Sequence, residues 1–400
     1  MHYLYPKVKN FMTGIARLTG TVKHYDWGGY AFIPSLLGIT NKNHQPFAEY
    51  WMGIHPLGIS KILLPDGETK LLTEYAGNIP YLLKVLDVRD MLSIQVHPSK
   101  SSAGVEFERE NKEGIPLDSP RRNYKDDNHK PEMLVALGDF YLLHGFKTPK
   151  LLLAILEVVP ELNFLLPVFG KEDYAGLYKM IMTMPGEEIN QRLRPLLDRI
   201  VPQYKENKLG KKSEDFWAAR AALTFSKDNN IDRGIFSIYL FNLVYLKKGE
   251  SVFQGAGLPH AYLEGQNVEL MSDSDNVLRG GLTTKHIDVN ELLKHVKCEP
   301  TVPNILKGEE TAAHVKLFRP PVKDFQMTVT ELEKDKTVRF VAKSTEIILV
   351  TEGETQIVDT EIKLAPGQPA AVVLKNSSYT LKGVAGKTIV FTASSPMHNG

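Results

Sequence analysis

The chain has little cysteine, no long apolar run and almost no net charge. Its 400 residues contain one cysteine, Cys298, which excludes an intrachain disulfide and a cysteine-rich zinc module. No apolar stretch approaches the ~20 residues of a membrane-spanning helix, and the beginning of the chain lacks the apolar segment of a secretory signal. Lys and Arg number 48 against 47 Asp and Glu, so the overall charge favours neither nucleic acid nor an anionic membrane as a partner. We therefore expect a cytoplasmic protein with neither kind of partner.

Sequence motifs of three common enzyme classes are also absent. The chain contains no G-x-x-x-x-G-K-[ST] nucleotide loop, no G-x-G-x-x-G dinucleotide motif and no G-x-S-x-G nucleophile elbow. What it does contain is an ordinary globular composition, 42% hydrophobic and 24% charged. At roughly 150 residues per domain, this length suggests two or three domains.

Local sequence pattern divides the chain into three zones. From residue 20 to 147, short apolar runs separated by Gly, Pro and Asn favour strands and loops. From 148 to 233 apolar residues recur at helical spacing, and strands are predicted again after Ile235, beginning with one strand over 236–246. The strands predicted in the last part of the chain lie near 325–333, 337–343, 346–351, 369–374 and 387–393. The pattern therefore predicts a mainly β protein with a helical segment in its middle.

Helix boundaries in the middle zone carry specific signals. Thr148 is a good N-cap residue followed by a proline at the first helical position, and Ser213 is a good N-cap for a later helix. Between them, apolar residues repeat every three or four positions, at Ile189, Leu193, Leu196, Leu197 and Ile200. We expect this zone to be a helical insertion that covers a cleft or builds its rim.

Two similar turns indicate two related β units. The pattern Leu-x-x-Gly-[Glu/Gln] occurs at 246–250 and again at 364–368, each time before an apolar strand. Two all-β units of jelly-roll type would produce this repeat. The second unit has no histidine between His314 and His398, so it lacks metal-ligating imidazoles there.

Four polar residues from separate segments form a candidate metal site. Gln95 and His97 lie two apart on a predicted strand, so both side chains face the same side. Glu132 follows in Asn-His-Lys-Pro-Glu, and His260 lies in Gly-Leu-Pro-His. Two imidazoles, one carboxylate and one amide oxygen suit a borderline divalent metal such as zinc, although the spacing does not choose zinc over iron or manganese. The alternative is that the first pair lies on a solvated sheet face and His260 caps a turn.

A second cluster of charged residues lies downstream, beside the flexible pair Gly280-Gly281. It contains Glu269, Asp273, Asp275, Arg279, Lys285 and His286. Arg binds phosphate through its planar guanidinium and Lys as a point charge, so this segment could hold a phosphate group. Lys130, two residues before Glu132, is a further cation that faces the same cavity if that stretch is extended. The alternative is an ordinary solvated loop.

Several long motifs, in the same order, resemble those of type I phosphomannose isomerases. They are Tyr25-Asp-Trp-Gly-Gly, Glu49-Tyr-Trp-Met-Gly, Ser93-Ile-Gln-Val-His-Pro, the segment 124–132 and the segment 260–285. The resemblance runs from about residue 18 to the end. The chain departs from it in having Gln254-Gly-Ala-Gly where a proline is more usual, Gly280 where alanine is common and Thr284 where proline is usual.

The resemblance implies a cupin-type fold and a division into three domains. A catalytic jelly-roll barrel would comprise 1–147 and 234–309, a helical insertion domain 148–233, and a second C-terminal jelly roll without metal ligands 310–400. It also implies a small sugar phosphate as the substrate, and we expect a monomer.

The resemblance further implies one zinc ion per chain, bound by Gln95, His97, Glu132 and His260. The positions matching catalytic residues are Arg279, Lys130, Glu269 and Asp275. Those matching substrate-binding residues are Ser93, Lys84 and Lys285, which with Arg279 would meet the phosphate.

The implied reaction is the reversible interconversion of mannose 6-phosphate and fructose 6-phosphate, by proton transfer between C2 and C1 through an enediolate. The metal and Arg279 would stabilise the oxygen charge. The proton would be carried by Glu269, Asp275, Lys130 or a water on the metal. The alternatives are a non-catalytic sugar-phosphate-binding cupin and an iron-dependent cupin dioxygenase, the latter disfavoured because one ligand position is a glutamine.

Overall fold

The computed structural model describes residues 14–64, 67–227 and 230–396, and strands are its commonest element. The strands of these residues are β1 (Ile15–Thr19), β2 (Thr21–Lys23), β3 (Glu49–Met52), β4 (Lys61–Leu63), β5 (Thr69–Leu71), β6 (Tyr81–Val88), β7 (Ile94–Val96), β8 (Glu132–Ala136), β9 (Phe140–Phe146), β10 (Phe241–Leu246), β11 (Ser251–Gln254), β12 (His260–Ser272), β13 (Leu278–Gly281), β14 (Glu309–Ala312), β15 (Val315–Phe318), β16 (Gln326–Leu332), β17 (Thr337–Val341), β18 (Glu346–Ile357), β19 (Lys363–Leu364), β20 (Ala370–Val373) and β21 (Ser378–Ser394). The helices are α1 (Phe32–Leu36), α2 (Leu72–Ala76), α3 (Lys100–Lys112), α4 (Pro149–Val158), α5 (Leu166–Thr183), α6 (Gly186–Lys205), α7 (Glu214–Phe225), α8 (Gly234–Leu240) and α9 (Val289–His295), with a 3₁₀ turn at Pro160–Leu165.

The chain forms two compact units. Unit 1 contains the described residues of Met1–Lys23, Tyr30–Lys84 and Gly308–Gly400. Unit 2 contains His24–Gly29 and the described residues of Val85–Lys307. The three predicted domains were defined from the sequence, whereas these two units are defined by which residues contact one another. The predicted domain boundaries therefore stay a prediction.

Unit 1 is built on an eleven-stranded sheet of order β14-β15-β16-β21-β18-β20-β1-β4-β5, with β17 beside β21 and β19 beside β18. Strand β1 pairs antiparallel with β20, where Ile15 is opposite Val373, and on its other edge with β4. Strand β1 and its neighbour β4 therefore lie in the same sheet as the last strands of the chain. Strands were predicted at each of the positions of β16, β17, β18, β20 and β21, and these predictions are confirmed, although β18 and β21 are longer than predicted.

The long strand β12 organises the sheet of unit 2. It pairs antiparallel with β7, β8 and β9, while β11 pairs with β8 and β13 pairs with β7. Leu134 of β8 is directly opposite Val252 of β11, and both belong to one buried apolar cluster with Tyr262 of β12. One face of β8, β11 and β12 is therefore turned towards a shared interior.

The helical segment predicted at 148–233 is present as α4 to α7. Helix α4 follows Thr148 and has Pro149 at its first position, and the Ser213 hydroxyl accepts a hydrogen bond from the backbone N–H of Asp215 at 3.2 Å. The predicted apolar face of α6, from Ile189 to Ile200, is buried. Among the described residues, no helix is both long enough and apolar enough to cross a bilayer.

Several helices correct the predictions, α8 and α3 most clearly. The segment 236–246 was predicted as one strand, but α8 occupies Gly234–Leu240 before β10 begins. Every residue of α8 is buried, so it shows no polar–apolar periodicity, and a short apolar run of this kind does not distinguish helix from strand. Helix α3 lies in the zone predicted to contain strands and loops. It buries only Ala103 and Glu110, so its sequence carries little helical periodicity.

Candidate metal centre

Strand β7 presents alternate residues to opposite faces. Ile94 and Val96 pack in the apolar core formed with the helices of unit 2. Gln95 therefore faces the other way, and its Cα is paired with His260 of β12 on one side and with Arg279 of β13 on the other. Three of the proposed functional residues, His260, Gln95 and Arg279, therefore lie side by side on neighbouring strands.

Three of the four predicted metal ligands converge. One potential ligand atom from each of His97, Glu132 and His260 lies within 4.8 Å of the others, and all three residues are buried. His97 Nε2 is 3.4 Å from Oε1 of Glu132, and His260 Nε2 is 3.1 Å from its Oε2. The two imidazole rings are 5.0 Å apart between centroids. The fourth predicted ligand, Gln95, is adjacent to His260 by strand pairing.

The orientation of both imidazoles suits metal binding. His97 Nδ1 lies 2.8 Å from the backbone carbonyl oxygen of Asn276, and His260 Nδ1 lies 2.9 Å from that of Leu258. A carbonyl only accepts, so each Nδ1 carries a proton and each Nε2 is the ring nitrogen available to a metal. Metal-ligating histidines are held in this way by their second nitrogen. Buried His97 Nε2 has no hydrogen-bond partner among the described residues, which fits a ligand atom directed at a cation.

Protonation states at this cluster also suit a cation. Burial lowers the pKa of His97 to about 4, so its imidazole is neutral near pH 7. Burial acts to raise the pKa of Glu132, but nearby His97, the charge of Lys130 and the hydrogen bond with His260 outweigh it and hold that pKa well below its usual value. Neutral imidazoles and an ionised carboxylate are the forms that bind a divalent metal.

Two of the predicted catalytic residues lie on the strands that carry the predicted metal ligands, or next to them. Lys130 is buried, and its Nζ is 3.4 Å from Oε1 of Glu132. Glu269 is also buried and accepts a hydrogen bond from the Tyr262 hydroxyl at 2.7 Å. Glu269 is directly opposite Leu134 on β8, two residues from Glu132, so its side chain faces the same interior.

Two cations of the downstream segment share one neighbourhood. Burial lowers the pKa of Arg279, and partial desolvation followed by the positive charge of Arg279 lowers the pKa of Lys285. Neither forms an ion pair with an acidic side chain among the described residues. An anionic ligand would relieve their mutual repulsion, since phosphate accepts from both kinds of side chain.

The loop that leads to Glu132 is fixed by Asn276. Its side-chain oxygen accepts from the backbone N–H of Lys125 at 2.7 Å, and its amide group donates to the carbonyl oxygens of Asp126 and Asn128, both at 2.8 Å. The Asp126 carboxylate in turn accepts from the backbone N–H of Asp275 at 2.8 Å. These hydrogen bonds thereby connect the segment 124–132 with the segment 260–285.

The remaining predicted residues lie as follows. Asp275 is half-buried in the segment between β12 and β13, and Ser93 is half-buried immediately before β7. Lys84 belongs to unit 1, where its Nζ is 3.5 Å from Oε2 of Glu49 and 5.0 Å from the ring centroid of Trp51.

Sequence reasoning missed three residues that shape the site. Asn276 and Tyr262 both occur within the recognised segment 260–285, yet nothing in their spacing reveals that one fixes a loop and the other donates to Glu269. The Cα of buried His144 of β9 is paired with that of His260. Strand register, which the sequence does not specify between distant segments, is the information that places it there.

Comparison with known protein families agrees with this geometry. A model of the catalytic domain of type I phosphomannose isomerases matches residues 15–149. Mannose-6-phosphate isomerase of Escherichia coli (strain K12) is 34% identical over 390 residues, which cover 92% of this chain and 97% of that protein. Mannose-6-phosphate isomerase of Homo sapiens is 31% identical over 416 residues, covering 91% of this chain and 94% of that protein.

Solved structures are similar over almost the whole chain. A crystal structure of mannose 6-phosphate isomerase bound with zinc and yttrium has a TM-score of 0.83 and 31% identity, covering 96% of this chain and 100% of the other. A structure of the Salmonella typhimurium isomerase bound to its substrate F6P and zinc has the same TM-score, identity and coverage. The predicted mainly β, cupin-type fold is thereby confirmed.

Proposed function

This chain belongs to the type I phosphomannose isomerase family, and from that premise we propose that it interconverts mannose 6-phosphate and fructose 6-phosphate with one bound zinc ion. In the proposal the ion is held by Gln95, His97, Glu132 and His260. The observation that carries it is the convergence of the His97 and His260 Nε2 atoms on the Glu132 carboxylate, with each Nδ1 occupied by a backbone carbonyl.

A zinc ion in this donor set would supply a Lewis acid for the sugar oxygens that gain negative charge when a proton leaves C1 or C2. The set contains one carboxylate, so a dication keeps about one formal positive charge for that task. Lys130 lies 3.4 Å from the same carboxylate, and it holds Glu132 ionised and limits the carboxylate's movement. Its ion pair with Glu132 favours this electrostatic role over that of a free base.

Glu269 is our candidate for the residue that carries the proton. It faces the interior of unit 2 on the same side as Glu132, and the Tyr262 hydroxyl holds one of its oxygens at 2.7 Å. That hydrogen bond fixes the position of the carboxylate, the group that would accept the proton in this proposal. Asp275 is tied through its backbone to Asp126 and lies in the segment between β12 and β13, so we place it second.

Arg279 and Lys285 would bind the phosphate group, with Arg279 also reaching the reacting part of the sugar. Arg279 is adjacent to the proposed ligand Gln95 by strand pairing, whereas Lys285 is six residues further along and lies at the surface. A phosphate fixed by Lys285 would anchor the reacting carbons beside the metal, and remote binding energy of this kind serves to position the substrate. Ser93 and Lys84 complete the proposed substrate-binding residues.

The sugar-phosphate-binding alternative without catalysis has less support. The curated relatives and the similar solved structures are isomerases, and a general base candidate and a Lewis-acid site face one interior in this chain. The monomeric state and cytoplasmic location predicted from the sequence remain proposals.

A coupled assay of fructose 6-phosphate formation from mannose 6-phosphate tests the proposed function. Protein treated with a chelator is expected to be inactive, and addition of one equivalent of zinc is expected to restore turnover. A protein that binds the sugar phosphate but yields no product with zinc would favour the binding alternative. Turnover that persists in fully chelated protein would contradict the role of the metal.

A further inference from the structure

Gln254, the last residue of β11, lies beside the metal cluster. In the antiparallel pairing of β11 with β8, Gln254 is directly opposite Glu132, and Val252 is directly opposite Leu134. Val252 and Leu134 belong to the interior apolar cluster, and Gln254 is two residues from Val252 on the same face. The Gln254 side chain therefore enters the interior next to the Glu132 side chain, with Cβ atoms about 4.5–5.5 Å apart as for any directly opposed pair.

The amide group of Gln254 is fully buried and has no partner. Its exposure is 0%, and neither its nitrogen nor its oxygen forms a hydrogen bond to any residue that the structure describes. A buried amide without partners is costly, and native proteins retain such groups mainly where they have a task. The neighbouring Glu132 carboxylate lies close to both imidazoles, with Oε1 3.4 Å from His97 Nε2 and Oε2 3.1 Å from His260 Nε2.

A cation bound between the imidazoles would change which hydrogen-bond donors the Glu132 carboxylate requires. Once Nε2 of each histidine and one Glu132 oxygen are directed at the ion, the carboxylate also keeps Lys130, 3.4 Å from Oε1. A carboxylate has about four acceptor sites, so its remaining oxygen then requires a donor. Gln254, directly opposite Glu132, brings an amide N–H₂ to the adjacent position.

We propose that Gln254 is a positioning residue of the metal centre, donating its amide hydrogen to the Glu132 carboxylate and so fixing that ligand for the ion. The inference rests on the proposed function, because it requires that a divalent metal bind at His97, Glu132 and His260. Ligating carboxylates are commonly held by such outer hydrogen bonds, and loss of one lowers metal affinity about 10- to 100-fold.

Asn267 of β12 provides a matched control in the same interior. It is also 0% exposed, and both of its side-chain polar atoms lack a hydrogen-bond partner within the described part of the chain. It is directly opposite Ala136, at the end of β8 away from Glu132. The two side chains are thus both buried amides that face the same interior. They differ in where they lie along β8, Gln254 opposite Glu132 and Asn267 opposite Ala136.

The experiment compares the full-length parent with Gln254→Leu and Asn267→Leu. Zinc affinity is measured by competition with a chromophoric chelator, and the melting temperature is measured in chelator. Replacing an unpartnered buried amide by an apolar side chain of similar size should leave the melting temperature of either metal-free variant unchanged or higher. Gln254→Met serves in place of Gln254→Leu if the latter does not fold.

We expect Gln254→Leu to weaken zinc binding about 10- to 100-fold and Asn267→Leu to stay within about threefold of the parent. The inference is overturned if Gln254→Leu also stays within that range, or if both variants weaken binding equally. A parent protein that binds no zinc would instead overturn the proposed function itself, so the two failures are distinguishable.

Discussion

His97 Nδ1 lies 2.8 Å from the backbone carbonyl oxygen of Asn276, 179 residues further along the chain. The same Asn276 uses its buried side chain to hold the loop over 125–128 that leads to Glu132. One residue therefore sets the tautomer of one proposed ligand and the approach of another. The centre depends on it although it would not touch the metal.

Replacing Asn276 with alanine tests this link. The change removes a hydrogen-bond partner from half-buried backbone groups at Lys125, Asp126 and Asn128, at about 1–3 kcal/mol for each group that water cannot reach. We expect the free energy of unfolding of the metal-free protein to fall by about 3 kcal/mol, measured by urea denaturation, and zinc affinity to fall about 10-fold or more. Asn290→Ala, at an exposed position of α9, should change neither quantity by more than about 0.5 kcal/mol. An Asn276→Ala protein with the stability of the parent would contradict the proposed role of the loop.

Acid should destabilise the metal-free protein, in part through His144. Burial, with a smaller effect from the charge of His260, lowers the pKa of His144 to about 4, against about 6.5 in an unfolded chain. Because the folded pKa is the lower one, the unfolded state binds the proton first as the pH falls. The contribution of His144 is thus complete above pH 6.5 and is lost between about 6.5 and 4, up to about 3 kcal/mol in total.

Urea denaturation in chelator at several pH values between 7.5 and 4 measures this effect. The variant His144→Gln does not titrate in that range, so its unfolding free energy should fall less steeply with acid than that of the parent. The exposed His286→Gln should follow the parent. Equal slopes for His144→Gln and the parent would show that this histidine is not held neutral in the folded state.

Arg279 and Lys285 are expected to affect different kinetic constants. Arg279→Met removes a charge beside the reacting centre and should lower kcat about 100-fold or more. Lys285→Met should mainly raise KM for the sugar phosphate, about 10-fold, with a smaller effect on kcat. Steady-state kinetics with zinc in excess measures both, and Lys212→Met, an exposed lysine of the same unit, is the control. The reverse pattern would exchange the two assigned roles.

Gly280 has little space for a side chain. A Cβ atom there would lie 2.8 Å from the hydroxyl oxygen of buried Tyr178 and 3.0 Å from Cγ2 of Ile94. Gly280→Ala should therefore cost about 1–3 kcal/mol of stability, as measured by denaturant unfolding. Adding Tyr178→Phe removes the closer atom and should recover part of that cost. The helical Gly104, where a Cβ meets nothing within 4 Å, should accept alanine at no cost.

If Tyr178→Phe leaves the cost of Gly280→Ala unchanged, the contact with Ile94 or the backbone dominates. If Gly280→Ala costs nothing, the strand pair β7–β13 is free to shift, and the close approach seen here does not constrain the substrate-binding segment.

The parts of the centre that follow from local pattern were predictable. The period-two spacing of Gln95 and His97 specifies their common face, and capping residues at Thr148 and Ser213 specify where helices begin. The motifs at 124–132 and 260–285 supplied the rest of the proposed ligand set through resemblance. Such features lie within a few residues of one another, so the sequence displays them directly.

The parts that depend on distant pairing were not predictable. Gln254 faces Glu132, and β1 pairs with β20, because of strand register between segments far apart in the chain. No local pattern specifies that register. Helix α8 was mistaken for strand because total burial removes the periodicity that distinguishes the two.

A crystal structure of the zinc-loaded protein, with the metal located by anomalous scattering, tests the central claim most directly. We expect one zinc ion with His97 Nε2 and His260 Nε2 at about 2.0–2.1 Å and a Glu132 oxygen at about 2.0–2.2 Å, and with the Gln95 amide oxygen as the fourth ligand. Zinc bound elsewhere, or zinc at this cluster with Gln95 turned away from it, would contradict the account.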